Sequence, residues 1–572
     1  MNKIKLLSLF LLTLSFGINA QTPCSGGSAG SYDCGGLDLQ SYISAATMGG
    51  IEGQDSWGWT DTDGNGDEYA IVAMDNGTAF VRITDPVNPV YLGRLNTQTG
   101  SSYWRDVKTY GNYAYIVSDD NGNHGVQVFD LTNLRGLNGT PTITFSAVTT
   151  YGRFSVRSAH NIIINEDTGY GYVLGSNLNG GGPHIINLAN PASPVAAGNI
   201  SSYGYCHDAQ VVVYNGPDTE HVGKEILIGS FSGSDFVRVL DVTNKSSISQ
   251  IGVIDYPNKA YTHQGWFTED QRFFILGDEL DETGSGFNTR TLVFDMIDLD
   301  NPQLILQYEG PSPATDHNGY VRGNRFYLAN YTDGVRILKI DGLYDGTPSL
   351  AEEDYFDTFP TSDAAGTVGG IWNVYPFFES GNLVATGFNL SSSTTNNGLY
   401  ILKDPLYDNT PPTVVCQPYT AVLDKSTGSV TIDALDVDGG STDNIGITKR
   451  TLTGQTTFTC ADVGDHTVTL TIEDDYGFKS SCTTTVTVVG EETSYQGAGL
   501  WSNGAPDIGS NAKISTTDFD TTGIGNSSFS ACTCEIDSGR TLTVGAESYI
   551  EIENDITVNG SLIVKHTGNV VQ

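Results

Sequence analysis

Apolar and polar residues alternate along most of this chain in short runs. "YAYIVSD", "RFFILGD", "GVQVFDL", "FVRVLDV" and "GVRILKI" each carry aliphatic or aromatic residues at every second place or throughout. Turn residues such as "GN", "DTG" and "EDQ" separate them. That pattern predicts short antiparallel strands. No stretch of it repeats at the 3.6-residue period of a helix. The runs themselves recur. Aligned on the residue that opens each phrase, the copies begin at Trp57, Trp104, His160, His207, His263, His317 and Trp372, spaced 47, 56, 47, 56, 54 and 55 residues apart. Three to four strands per copy, seven times over, predict an all-β chain whose main body is a seven-bladed β-propeller.

In a propeller the first strand of each blade lines the central channel, so equivalent residues lie on one ring. The seven openers are therefore expected to face one another at one channel mouth. Three readings of that ring stand. Its histidines lock neighbouring blades by hydrogen bonds, with Asp208 and Asp316 fixing the imidazoles. Or His160, His207, His263 and His317 hold a transition metal, for which neutral imidazoles are suited. Or the mouth binds a small ligand or glycan, with Trp57, Trp104 and Trp372 stacking and Arg105 donating hydrogen bonds. No HExxH motif occurs. Cys206 beside His207 is no couple, because adjacent strand residues point to opposite faces; a buried, inert thiol is expected.

Two acidic loops need weighing. In "DTDGNGDE", Asp61, Asp63, Asn65 and Asp67 alternate as in a calcium loop, but Val72 stands where an EF-hand has its bidentate glutamate. A tight acidic turn and a calcium site are both compatible with it. "GDELDETGSG", residues 277–286, reads as a solvated face.

Composition changes the picture in two ways. Lys+Arg is 27 against Asp+Glu 66, a net charge of -39. Such a surface repels phosphate backbones, which excludes nucleic acid as a partner, and it suits divalent cations. The opening "MNKIKLLSLFLLTLSFGINAQT" has Lys3 and Lys5, an apolar run too short to span a membrane, and Ala20. It reads as a signal peptide cut after Ala20. The mature chain is then exported and its eight cysteines are free to pair. Cys24 and Cys34 bracket a Gly/Ser-rich loop and are expected to bridge; "ACTC", with Cys532 and Cys534, does not close on itself easily.

"SSYWRDVK", "CHDAQVVVYNGPDTE", "AYTHQGWFTEDQRFFILGDELDE" and "DHNGYVRGNRFYLANY", with "PCSGGSAGSYDCGGLDL" before them, resemble the choice-of-anchor B family over residues 21–405. Those are exported bacterial proteins built on LVIVD-type propeller repeats with variable C-terminal anchors. The resemblance implies a secreted or surface-exposed role and brings no established reaction. After the stiff "TPPT" linker, residues 409–490 give about seven short strands, an immunoglobulin-like sandwich. "STDNIGI", "VGDHTVTLTIEDDYG" and "CTTTVTVV" resemble HYR-type modules, which implies a Cys416–Cys482 bridge and leaves Cys460 without a partner. Residues 491–572 read as the start of a β-helical stalk that is truncated, with residues 535–571 climbing in rungs of about ten.

The domains expected are thus a signal peptide (1–20), a disulfide-looped segment (21–56), the propeller (57–408), the HYR/Ig-like sandwich (409–490) and the stalk (491–572). The function expected is an exported, surface-attached binding or adhesion protein whose channel mouth takes a protein, glycan or ion. It would reach a membrane only through a missing or separate anchor. A metal-dependent hydrolase using the four histidines, and a purely structural surface protein, are the alternatives.

Overall fold

A computed structural model describes residues 21–232, 236–390, 396–405 and 407–572; the expected signal peptide lies outside them. The chain forms two compact units, divided between Tyr407 and Asp408.

The first unit is a seven-bladed β-propeller. The innermost strands of blades 1 to 7 are Gly53–Thr60, Arg105–Tyr110, Asn161–Asn165, Asp208–Val213, Thr262–Phe267, Gly319–Arg322 and Gly369–Tyr375. The second strands are the most apolar, because they are covered on both faces by neighbouring blades. Every residue of Glu68–Met74 and of Glu225–Phe231 is buried. Cores therefore lie between blades. Phe80 of blade 1 stacks on Phe129 of blade 2, centroids 4.4 Å apart, amid Ile71, Leu92 and Ile116. Each such aromatic contributes about 2–3 kcal/mol by leaving water.

The N-terminal segment is part of the propeller rather than a separate piece. Asp38–Ser44 pairs antiparallel with Gly398–Lys403 as the outer strand of blade 7. Tyr32–Gly35 extends blade 6 against Ala351–Asp357. Blade 7 is thus built from both ends of the unit, which closes the ring. The Cys24–Cys34 disulfide ties the chain ahead of the small Ser28–Ala29/Tyr32–Gly35 hairpin to the second strand of that hairpin.

In the second unit, Gly464–Asp474 and Lys479–Gly497 form the long hairpin of the sandwich. Cys416–Cys482 is bridged as expected. Lys479–Gly497 then runs on into a β-solenoid of three parallel sheets. Ala512 sits beside Cys534 and Cys534 beside Ile556, so one coil takes about 22 residues and has three faces, twice the rung read from the sequence. Cys460 is not free. It pairs with Cys532 of the solenoid, and Cys206 and Cys534 are the buried thiols. Among the described residues no helix is long and apolar enough to cross a membrane.

Candidate functional site

The four histidines do meet. Ring centroids of His160 and His207 lie 4.2 Å apart, His207 and His263 4.5 Å, His263 and His317 4.2 Å, and Trp372 follows His317 at 4.7 Å. They form an arc over blades 3 to 7 that Trp104 of blade 2 continues into the lining of the same cavity.

Trp57 is not in the ring. Hydrogen bonds between inner strands fix the true register: Val107 N–H donates to Asp55 Oδ2 at 3.2 Å, as Ile162 N–H donates to Asp106 Oδ2 at 2.7 Å. Asp55 thus matches Asp106, so Gly53 occupies the place of Trp104 and Trp57 that of Lys108. A side chain at Gly53 would meet the Gly387 carbonyl oxygen at 2.7 Å. Trp57 lies deeper, edge-on to Tyr320 and Tyr375 and 4.6 Å from the Lys108 ammonium.

The imidazoles are oriented by other groups than Asp208 and Asp316, which alternate away from them along their strands. His160 Nδ1 bonds Asp119 Oδ2 at 3.1 Å, and His207 Nδ1 faces the Tyr261 hydroxyl at 3.0 Å. His317 Nδ1 lies 2.6 Å from the Trp372 carbonyl oxygen, which makes it the protonated nitrogen and leaves Nε2 its lone pair. His263 Nε2 lies 3.7 Å from Glu279 Oε2. Glu279 Oε1 accepts from the Tyr331 hydroxyl at 2.7 Å. Ligand atoms of His263, Glu279 and His317 all lie within 4.8 Å of one another. Asp119 and Glu279 were missed in the sequence, yet each is the first residue after the second strand of its blade, in "VSDD" and "LGDE".

Burial, and then the neighbouring imidazoles, hold His207 and His263 far below the ordinary histidine range. Burial lowers His317 to about 3. All three are neutral at physiological pH. Burial also raises Glu279.

Beneath the arc the channel is charged. Lys108 Nζ lies 2.9 Å from Asp55 Oδ2 and 2.5 Å from Asp106 Oδ1. Asp208 faces this group, and burial raises it to about 7. Asp316 turns instead to Asp281 and Glu282, within 4.8 Å of both. That loop is not a solvated face. It folds into the short helix Asp281–Ser285, with Asp281 and Glu282 buried and Asp281 Oδ2 accepting from Arg290 Nε at 2.5 Å.

Arg105 is committed between blades, donating to the Met74 carbonyl oxygen, Thr97 Oγ1 and His124 Nε2 at 2.9 Å each. Most of its N–H groups are thus used within the protein, although it also lines the cavity at the mouth. The turn of Asp61, Asp63, Asn65 and Asp67 likewise closes on protein groups: Arg135 takes both Asp61 oxygens, Asn112 donates to Asp63 and Thr84 to Asp67. Its carboxylates do not converge on one point. Above the arc, Trp104 and Trp372 are shared with a groove of about 340 Å³ lined by Tyr103, Phe388 and Leu390, with Glu52 and Gln54 as polar groups.

No curated protein matches the chain. A protein from Lactobacillus plantarum is similar at 12% identity, covering 60% of this chain and 90% of its own, TM-score 0.39. Hydrazine synthase of Kuenenia stuttgartiensis gives 13%, 57%, 93% and 0.40, and the periplasmic gluconolactonase of Pseudomonas aeruginosa 13%, 53%, 88% and 0.36. Scores this low carry no inference about function. Residues 407–488, the sandwich of the second unit, match the HYR domain family.

Proposed function

We propose that this is an exported binding protein of the adhesion type whose propeller mouth holds a divalent transition-metal ion on His263, Glu279 and His317. The three disulfides and the HYR domain support an oxidising, extracellular location. The resemblance of residues 21–405 to the choice-of-anchor B family supports surface attachment.

His263 carries the metal reading. Its Nε2 stands 3.7 Å from an oxygen of the partly buried Glu279 carboxylate. That is too long for a hydrogen bond. It is close to the roughly 3.4 Å between two ligand atoms held at about 2.0–2.1 Å by a tetrahedral ion. The outer atoms are already anchored, His317 Nδ1 by Trp372 and Glu279 Oε1 by Tyr331, as metal ligands commonly are. A ligand drawn to the ion would lie in the Trp104–Trp372 groove, whose aromatic walls suit a glycan ring or a protein side chain.

Metal content of the purified full chain tests this. A near-stoichiometric transition metal, lost in His317→Ala and in Glu279→Gln but kept in Asp63→Asn, is expected. A native chain that retains no zinc, nickel, copper, manganese or iron after loading and dialysis refutes it. A second reading, metal-assisted hydrolysis, is favoured by the ligand count: three protein ligands leave a coordination position open. Turnover of ester or phosphodiester probes that disappears in Glu279→Gln would select it.

A further inference from the structure

The HYR sandwich gathers three aspartates from distant points of its sequence. One carboxylate oxygen each from Asp408, Asp443 and Asp474 lies within 4.8 Å of the other two. Asp408 opens the unit in "DNTPP", Asp443 stands in "STDNIG", and Asp474 ends the strand Gly464–Asp474 in "EDDYG".

Acidic clusters are common on proteins this negative, so proximity alone decides nothing. The hydrogen bonding decides more. In each residue one oxygen is fully employed and the other is not. Asp408 Oδ1 accepts from Thr410 N–H at 2.8 Å and Asn444 Nδ2 at 3.0 Å. Asp443 Oδ2 accepts from the N–H groups of Ile445 and Gly446, both at 2.9 Å. Asp474 Oδ1 accepts from Tyr476 N–H at 2.8 Å and Phe478 N–H at 3.0 Å. The remaining oxygens, Asp408 Oδ2, Asp443 Oδ1 and Asp474 Oδ2, are buried with no hydrogen-bond partner. Asp408 is 2% exposed and Asp474 0%. Among the described residues no lysine, arginine or histidine pairs with any of the three.

Buried carboxylate oxygens are normally hydrogen-bonded or paired, because an isolated charge out of water is costly. Three left bare and convergent require a cation, or protons that their amide-bound partners disfavour. Burial raises Asp474, the amides of Phe478 and Tyr476 oppose it, and Asp443 and Asp408 raise it further. Oxygens placed around an ion at about 2.3–2.6 Å lie at most about 5 Å apart, which the 4.8 Å limit satisfies. The set is all oxygen and holds no nitrogen or sulfur, so it suits a hard cation and not the ion of the histidine arc.

We infer that Asp408, Asp443 and Asp474 form a calcium site that ties the first residues of the HYR domain to two of its turns. Backbone carbonyls and water complete the six to eight oxygens calcium takes. This site is independent of the propeller mouth.

Calorimetric titration of chelator-treated full chain with Ca2+ alone tests it, with Asp443→Asn, Asp408→Asn and, as controls, Asp63→Asn and Glu279→Gln. Asparagine keeps an oxygen for the amides, so the variants fold; unchanged far-UV circular dichroism checks that. Extracellular modules bind calcium with Kd on the order of 10⁻⁴–10⁻³ M. A Kd in or below that range, weakened about tenfold or more in each HYR variant and unchanged in the controls, supports the site. The thermal transition of the second unit should also move up with Ca2+ in the native chain and stay put in Asp443→Asn. Absence of binding by the native chain overturns the inference, and so does equal binding by native chain and HYR variants. Failure of the histidine metal site would show in Glu279→Gln and leave the calcium result untouched.

Discussion

Replacing Lys108 with methionine removes the positive charge held between the buried acids Asp55 and Asp106. Its ammonium lies 2.9 Å from Asp55 and 2.5 Å from Asp106, and no side chain of the three is more than 7% exposed. At about 3 Å and an effective dielectric of about 20, one such pair attracts by about 5 kcal/mol, much of which offsets desolvation. Taking one partner away leaves the desolvation uncompensated and costs about 3–5 kcal/mol. Methionine fills most of the lysine's volume, so little of this is cavity. Burial, and then Asp106, push Asp55 well above the ordinary carboxylate range. Asp106 is the charge stranded. Burial works against its ionisation, and Lys108 with several hydrogen bonds holds it below its usual value. Without Lys108 the folded-state value rises above the unfolded one. The folded variant then keeps a proton that the unfolded chain releases, so its stability falls as pH rises from about 4. Guanidinium unfolding followed by tryptophan fluorescence should show a deficit of about 3–5 kcal/mol at pH 7, smaller at pH 5, and mostly restored in Lys108→Met/Asp106→Asn. Trp57, 4.6 Å from the ammonium, reports on this region. A deficit under about 1 kcal/mol at pH 7, or a double variant no better than the single one, would refute the buried-charge account.

Cys460→Ser should lower the stability of the second unit by about 3 kcal/mol, less than a lone loop of that length gives, because Cys416–Cys482 already restrains the unfolded chain; calorimetry reads it. Burial raises Asp281 to about 7 and Glu282 to about 8, so the folded propeller holds protons that the unfolded chain has lost. Its stability in chelator should fall between pH 6.5 and 8, above the window where the lowered histidines act in the opposite sense, and Glu282→Gln should flatten that fall in urea unfolding. Trp57→Ala should cost about 3 kcal/mol and leave metal content unchanged, whereas Trp104→Ala, at a residue 40% exposed, should cost under about 1 kcal/mol.

Much of the propeller was legible because period-two strands and repeated openers are local signals. The histidine arc followed from them, since equal places in equal blades must share a ring. Blade 1 went wrong where a letter replaced a register: its tryptophan is the equivalent of Lys108, and the ring position is Gly53, which offers nothing to align on. Three partners of the imidazoles come from a neighbouring blade, as Asp119 reaches His160, Tyr261 reaches His207 and the Trp372 carbonyl oxygen reaches His317. No local pattern announces such pairs. Cys460 was unreadable for the same reason, because its partner belongs to the solenoid. The burial of Asp281 and Glu282 depends on Arg290, nine residues away from Asp281 and on the next strand.

The division of labour along the inner strands bears on what the histidines are for. Blades are locked by residues just beyond the ring position. Asp55, Asp106, Gln210 and Gln264 each accept an N–H from the next blade's inner strand, and Asn161 donates to the His207 carbonyl oxygen. The ring position itself carries no such duty in blade 1, where it is Gly53. A purely structural histidine should hold a partner on its ring nitrogens, as His124 does between Gly125 and Arg105. His160, His207 and His317 meet that standard through one nitrogen each. The weakest case is His263, whose Nε2 stands 3.7 Å from Glu279 Oε2, beyond hydrogen-bond reach. The arc is therefore least explained by packing at His263, beside Glu279 and His317, where a bound ion would take up the lone pairs that the protein leaves open.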